Sequence, residues 1–153
     1  MKTFTDSEGW AETFGYDAMD RMTSIAYPDG TTDTYTYDKL DLSSYRDRLG
    51  RVWSYTHDAD RRLTKIVDPL GKQTLFGYNG IDELTSLTDP NSNATSWAYD
   101  VEGRLTQKTY ADASTVTYTY ENTTSRLKST LDAANRPGNP PGSTTRTGRR
   151  LRR

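Results

Sequence analysis

The chain has 153 residues, 20 basic against 21 acidic side chains, and an apolar fraction of only 32%. The absence of cysteine excludes disulfides and thiolate metal sites, and no apolar run approaches the roughly 20 residues of a membrane helix. Aromatic residues make up 11%, with 11 tyrosines, which argues against disorder of the whole chain.

The net charge of −1 is unevenly placed. Pro137–Arg153 holds Arg146, Arg149, Arg150, Arg152 and Arg153 and no acid, which leaves 15 basic and 21 acidic groups, or −6, on the rest. Residues 1–13 read as an N-terminal loop, with Asp6, Ser7, Glu8 and Gly9 as turn formers and no apolar core of a signal peptide. From Phe14 a repeat runs to residue 136. Tyr-Asp or its equivalent recurs at Tyr16-Asp17, Tyr37-Asp38, His57-Asp58, Tyr78-Asn79, Tyr99-Asp100 and Tyr120-Glu121, at spacings of 21, 20, 21, 21 and 21. Such a period marks stacked supersecondary units.

A second aromatic stands two positions before each of these: Phe14, Tyr35, Tyr55, Phe76, Trp97 and Tyr118. Side chains two apart on a strand share a face, so each copy presents a pair of rings. The residues between them (Gly15, Thr36, Thr56, Gly77, Ala98 and Thr119) are small or polar, as an opposite face requires. A turn follows each pair, built on Asp or Asn, whose side chains accept bonds from the amides just ahead. Met22, Leu63, Leu84, Leu105 and Leu127 then restart a strand, with Thr23, Thr64, Thr85 and Thr106 after the first four. A second turn closes each unit, most clearly Asp68-Pro69-Leu70-Gly71. The expected fold is all-β: a twisted or partly spiralled antiparallel meander of about 10–12 short strands, with no helix of note. Lys39–Tyr45 departs from the pattern, and a distorted strand is expected there. Residues 137–153 read as a disordered basic tail.

The motif Tyr99-Asp100-Val101-Glu102-Gly103-Arg104-Leu105-Thr106 resembles the YD repeat of Rhs proteins, and six copies in register over residues 14–136 carry the resemblance. It implies a β-sheet that spirals into a hollow shell, as in bacterial Rhs toxins, insecticidal toxin complexes and, distantly, teneurins. The expected function is a structural segment of a polymorphic-toxin shell that encloses cargo, with no catalysis and no cofactor of its own. Implied partners are further Rhs repeats or an enclosed toxin domain, and the implied location is secreted or cell-surface. Complete shells need many more repeats, so a shell fragment or truncated gene product is expected, with no toxin domain after the repeats and no export module before them. The family's self-cleaving segment has a Pro-x-x-x-x-Asp-Pro-x-Gly pattern. Asp68 fits its second half, but Leu63 stands where the first Pro belongs, so Asp68 is read as a turn residue.

The ring ladder (Phe14, Tyr16, Tyr35, Tyr37, Tyr55, His57, Phe76, Tyr78, Trp97, Tyr99, Tyr118 and Tyr120) reads first as the packed face of the sheet. As an alternative it is a carbohydrate- or cell-surface-binding module. His57, the only histidine, takes a tyrosine's place in the ladder and is read as structural, since no nucleophile-elbow pattern accompanies it. Asp58, Asp60, Asp82, Asp100 and Glu102 lack the spacing of an EF-hand loop and are read as turn formers, with no metal site expected. The arginine tail has no accompanying fold or interleaved aromatics, so nucleic-acid binding is not expected.

Overall fold

A computed structural model describes residues 2–7 and 9–132. Among them lie thirteen strands and no helix: β1 (Lys2–Thr5), β2 (Ala11–Tyr16), β3 (Met22–Ala26), β4 (Thr32–Asp38), β5 (Asp41–Arg46), β6 (Val52–His57), β7 (Leu63–Val67), β8 (Gln73–Tyr78), β9 (Leu84–Thr88), β10 (Ala94–Tyr99), β11 (Leu105–Thr109), β12 (Thr115–Tyr120) and β13 (Leu127–Asp132). Their order in the sheet is their order in the chain, and the paired strands run antiparallel, so the sheet is a meander. The expected all-β antiparallel fold is the observed one.

The alternation read from the sequence is visible in the burial. In β6, Trp53, Tyr55 and His57 are half-buried while Val52, Ser54 and Thr56 are exposed; β10 repeats this with Thr95, Trp97 and Tyr99 against Ala94, Ser96 and Ala98. The ladder residues are half-buried apart from Tyr16, which is exposed. No apolar side chain is fully buried among the described residues, and the buried side chains are Asp33, Asp47 and Ser114. The rings therefore cover one another rather than lying beneath a second layer.

Two compact units divide the chain, Met1–Leu75 and Phe76–Arg153, and the boundary falls inside β8. The first unit holds a continuous row of rings from β4 to β6. The second is built from more regular repeats, with Lys108 lying over Trp97 and Tyr110.

One expectation needs correction and another is sharpened. Residues 1–13 are not a loop: Lys2–Thr5 forms β1, paired with β2 from Ala11 onward. The Asp6–Trp10 connection closes as the later turns do, with the Asp6 amide donating to the Trp10 carbonyl at 3.0 Å and Gly9 at φ 84°. This hairpin was hidden because Phe4 is its only ring on the first strand. The distortion expected at Lys39–Tyr45 takes a definite form: β5 pairs with both β4 and β6, but the register slips between Thr36 and Tyr37 so that Ser43 is extra, and the turn before it is cut to two residues, Lys39-Leu40, with Lys39 at φ 52°. Removing one loop residue shortens that copy to 20. The basic tail at 137–153 and the partial unit ending at Asn135 lie outside the described residues, and no described helix is long and apolar enough to cross a membrane.

Candidate functional site

The ladder is positioned by the turns. After Tyr16, the Asp17 amide donates to the Arg21 carbonyl at 3.0 Å and the Asp20 amide donates back to the Asp17 carbonyl at 3.2 Å. This is a three-residue hairpin loop whose last residue must take positive φ. The same pair of bonds recurs at Tyr27, Asp47, Asp58, Asp68, Asn79, Asp89, Asp100 and Tyr110. The leading Asp fixes the loop from within: Asp100 Oδ1 accepts the amides of Glu102 at 2.9 Å and Arg104 at 3.0 Å, while Oδ2 accepts Arg104 Nε at 2.7 Å. Asp17 and Asp58 do the same with Arg21 and Arg62.

These bonds favour the ionised carboxylate. The Arg21 side chain holds the Asp17 carboxyl below its ordinary range. The backbone amides of Arg62 and Arg104 act first on Asp58 and Asp100, with the guanidinium adding to the effect. Burial pushes Asp47 up, but its bonds to Arg51 outweigh this and its carboxyl is also lowered. Asp58 and Asp100 are thus turn formers as expected, Asp82 is the positive-φ residue of its loop at 67°, and Asp60 pairs with Arg62 at 3.3 Å.

The positive-φ place is held by Gly30, Gly50, Gly71 and Gly103 in some copies and by Asp20, Arg61, Asp82, Ser92 and Ala113 in others. A Cβ there is strained by roughly 1–2 kcal/mol. Ala113→Gly is therefore expected to stabilise the chain by about 1 kcal/mol, and Gly103→Ala, whose Cβ would also stand 3.0 Å from Glu83 Oε1, to destabilise it at least as much. Urea-unfolding midpoints read both; the same sign for the two changes would contradict the loop geometry.

The threonine after each strand-opening leucine has a use that sequence reading missed. Pairing between β10 and β11 skips a residue: Ala98 faces Gln107 but Tyr99 faces Leu105, so Thr106 is extra. This is a β-bulge. Thr106 Oγ1 donates to the Ala98 carbonyl at 3.0 Å, and Thr64 and Ser43 do the same to Thr56 and Thr36, also at 3.0 Å. Thr106→Val, equal in shape, is expected to cost about 1 kcal/mol in the same urea assay, while Thr109→Val, away from the bulge, serves as the control.

At three of these bulges the ladder tyrosine reaches back to the preceding copy. The hydroxyls of Tyr37, Tyr99 and Tyr120 donate to the carbonyls of Met22, Leu84 and Leu105, fifteen residues earlier, at 2.8, 2.8 and 2.9 Å. The turn arginine then covers the ring: Arg21 Cζ lies 4.2 Å from the Tyr37 ring centre and Arg104 Cζ 4.8 Å from that of Tyr120. Asp, Arg and the next copy's Tyr form one connected set, which is why they share a period.

At His57 the set changes. Asp41 stands where other copies place the turn arginine, and Arg61 reaches back to it with Nη2 at 2.8 Å from Oδ1. That bond lowers the Asp41 carboxyl first, with the charge of Arg61 next. A cavity of about 470 Å³ opens there, lined by Asp38, Lys39, Asp41, Tyr55, His57, Asp58 and Arg61 among others. No group of three or more metal-ligating side chains occurs among the described residues.

The rings gather most closely in the first unit. Tyr45 lies between Tyr35, at 5.1 Å centre to centre, and Trp53, at 5.4 Å, both stacked. Beside them Asp33, 7% exposed, accepts the Tyr27 hydroxyl at 2.9 Å and the Tyr45 hydroxyl at 3.4 Å on Oδ2. Burial, then the bond to Asp33, pushes the Tyr27 phenol up to about 12. Tyr27, Asp33, Tyr45 and Trp53 were missed from sequence. The available signal was position: two places before the first ladder ring the other copies carry Glu12, Trp53, Thr74, Thr95 and Val116.

Comparison with known proteins agrees with this architecture. The RHS Repeat family matches residues 2–32, 37–74 and 78–115. Among solved structures, the crystal structure of TcdB2-TccC3-Cdc42 is similar over 88% of this chain at 15% identity and TM-score 0.51. That of TcdB2-TccC3 is similar over 83% at 16% identity and TM-score 0.50, and the Photorhabdus luminescens Tc holotoxin pore, carrying a TccC3 mutation, over 84% at 15% and 0.51. The chain spans 9% of the length of each of these neighbours. No curated protein matches the sequence. With family matches spread over more than half its length, and the turn, bulge and ring set recurring in register, the chain belongs to the RHS Repeat family.

Proposed function

We propose that the chain is a stretch of the wall of an Rhs-type toxin shell, which encloses a cargo and does no chemistry of its own. The observation that carries this is the repeat wiring: turn aspartates, arginines and ladder tyrosines are engaged in joining one copy to the next. Among the described residues the strand order runs from β1 to β13, whose residues are all exposed, so further repeats can add at either edge by backbone pairing. The likeness to toxin-complex structures supports the same reading. To test it, residues 11–120 are grafted in place of the corresponding repeats of TccC3 and purified with TcdB2. Cargo that stays protease-resistant supports a wall role; cargo digested while the graft remains folded contradicts it.

A second reading, glycan binding by the ladder, is favoured by rings that are only half-buried, Trp97 and Tyr99 among them. Glycan-array binding lost in Trp97→Ala with unchanged circular dichroism supports it. Absence of wild-type binding removes it.

A further inference from the structure

We infer that Asp33 and the rings beside it form a docking point for a cationic side chain, arginine or lysine, carried by a second polypeptide laid on the ring face. This is independent of the wall role.

Asp33 is 7% exposed, yet its Oδ1 has no hydrogen-bond partner, and Oδ2 takes only the two tyrosine hydroxyls. A buried carboxylate is normally matched by a cation or by several donors, because losing water without compensation is costly. The other buried carboxylate of the first unit obeys this rule. Asp47, equally buried, accepts Arg51 Nε at 2.6 Å and the amides of Leu49 and Arg51, while Asp17 and Asp58 hold Arg21 and Arg62. Opposite Asp33 in the neighbouring strand stands Ile25, which offers no side-chain donor.

The repeat does not require an acid at this place. Tryptophan, threonine and valine fill it at Trp53, Thr74, Thr95 and Val116, and of the other copies only the first carries an acid, Glu12. The chain's own cations lie over two of the surrounding rings, Arg48 at 4.5 Å from the Tyr27 centre and Arg51 at 5.7 Å from that of Trp53, yet neither bonds to Asp33. The ring contacts of Tyr45 are instead with Tyr35 and Trp53. The place therefore combines an unmatched carboxylate oxygen with a cluster of half-buried rings on one sheet face. That combination selects a cation, and guanidinium above ammonium, since it stacks on rings and donates in a planar fork. Oδ1 is closed to water in this state, so the incoming group must displace something. The Tyr45 hydroxyl, whose 3.4 Å bond is at the outer limit of the interaction, is the group that yields.

The test titrates the full chain with the peptide acetyl-Gly-Arg-Gly-amide and follows the Thr34 and Tyr35 amides and the Tyr45 ring by NMR. Saturable shifts are expected, with a glutamine peptide of the same length binding roughly tenfold or more weakly. Asp33→Asn should lose the response while its urea midpoint stays equal to or above wild type. Tyr45→Phe, which removes the yielding hydroxyl and keeps the stack, should bind the arginine peptide more tightly. Equal response to the glutamine peptide, no response to either peptide, an unchanged response in Asp33→Asn, or weaker binding in Tyr45→Phe would overturn the assignment.

Discussion

Replacing Tyr45 with alanine is expected to destabilise the chain by about 2 kcal/mol in urea unfolding, among the largest losses from any single ring. Tyr45 is the middle member of a three-ring row, 5.1 Å from Tyr35 and 5.4 Å from Trp53, so its removal breaks two stacks at once. Each stacked pair contributes roughly 0.5–1.5 kcal/mol beyond the area it covers. The side chain is only half-buried, which keeps the loss below the roughly 3–5 kcal/mol of a fully enclosed aromatic. Trp53 fluorescence should shift in the folded variant, because one face of the indole becomes open to water. Tyr16→Ala is the internal control: Tyr16 is 37% exposed, and its loss should stay within about 0.5 kcal/mol. Equal effects at the two positions would mean that ring contacts between strands do not hold the first unit together.

The second large effect is expected in acid. The carboxyls of Asp17, Asp29, Asp41, Asp47, Asp58, Asp89 and Asp100 are all lowered in the folded chain by bonds to amides, hydroxyls, side-chain amides or guanidinium groups. A group whose folded value is depressed stabilises the fold above its unfolded value and loses that contribution as pH falls through the folded value. Since unfolded aspartate titrates near 3.9, stability should be level at neutral pH and fall steeply below about pH 4, with many turns losing their internal acceptors together. Asp100→Asn provides the check. Asn79 shows that an amide can hold this loop, accepting the amides of Ile81 at 3.1 Å and Glu83 at 3.0 Å. The variant should keep the fold and show a shallower acid limb. At the alkaline end the sign reverses. The Tyr27 phenol is raised to about 12 from an ordinary 10.0, so its contribution is full below pH 10 and is lost as pH rises toward 12. Tyr27→Phe should flatten that limb.

Much of this was legible in the sequence. The 21-residue period, the alternating rings and the Asp-led turns depend on local residue types, and they placed β2 through β12 and the half-buried face of β6 and of β10. Three things were not legible, each for a physical reason. The first hairpin has too few rings to show the pattern, although its Asp6 and Gly9 close the same loop. The role of Thr106 depends on a one-residue slip in register, which leaves no mark on periodicity. The Asp33 cluster joins residues of β4, β5 and the loop after β3, and only the pairing of strands brings Tyr27 and Tyr45 onto one carboxylate. The Arg-Leu-Thr motif was visible as a string. Its meaning, an arginine covering the tyrosine of the next copy, required the fold.

If the chain is a wall segment as proposed, its outermost described strands, β1 and β13, pair with further repeats. Amide hydrogen exchange on β1 and β13 tests this most directly, comparing the chain alone with the same residues carried between the repeats of a full Rhs shell. Rapid exchange is expected along the outward edges of Lys2–Thr5 and Leu127–Asp132 in the chain alone, and strong protection of both in the shell, with the interior strands unchanged. Outer strands that stay unprotected within an assembled shell would contradict it.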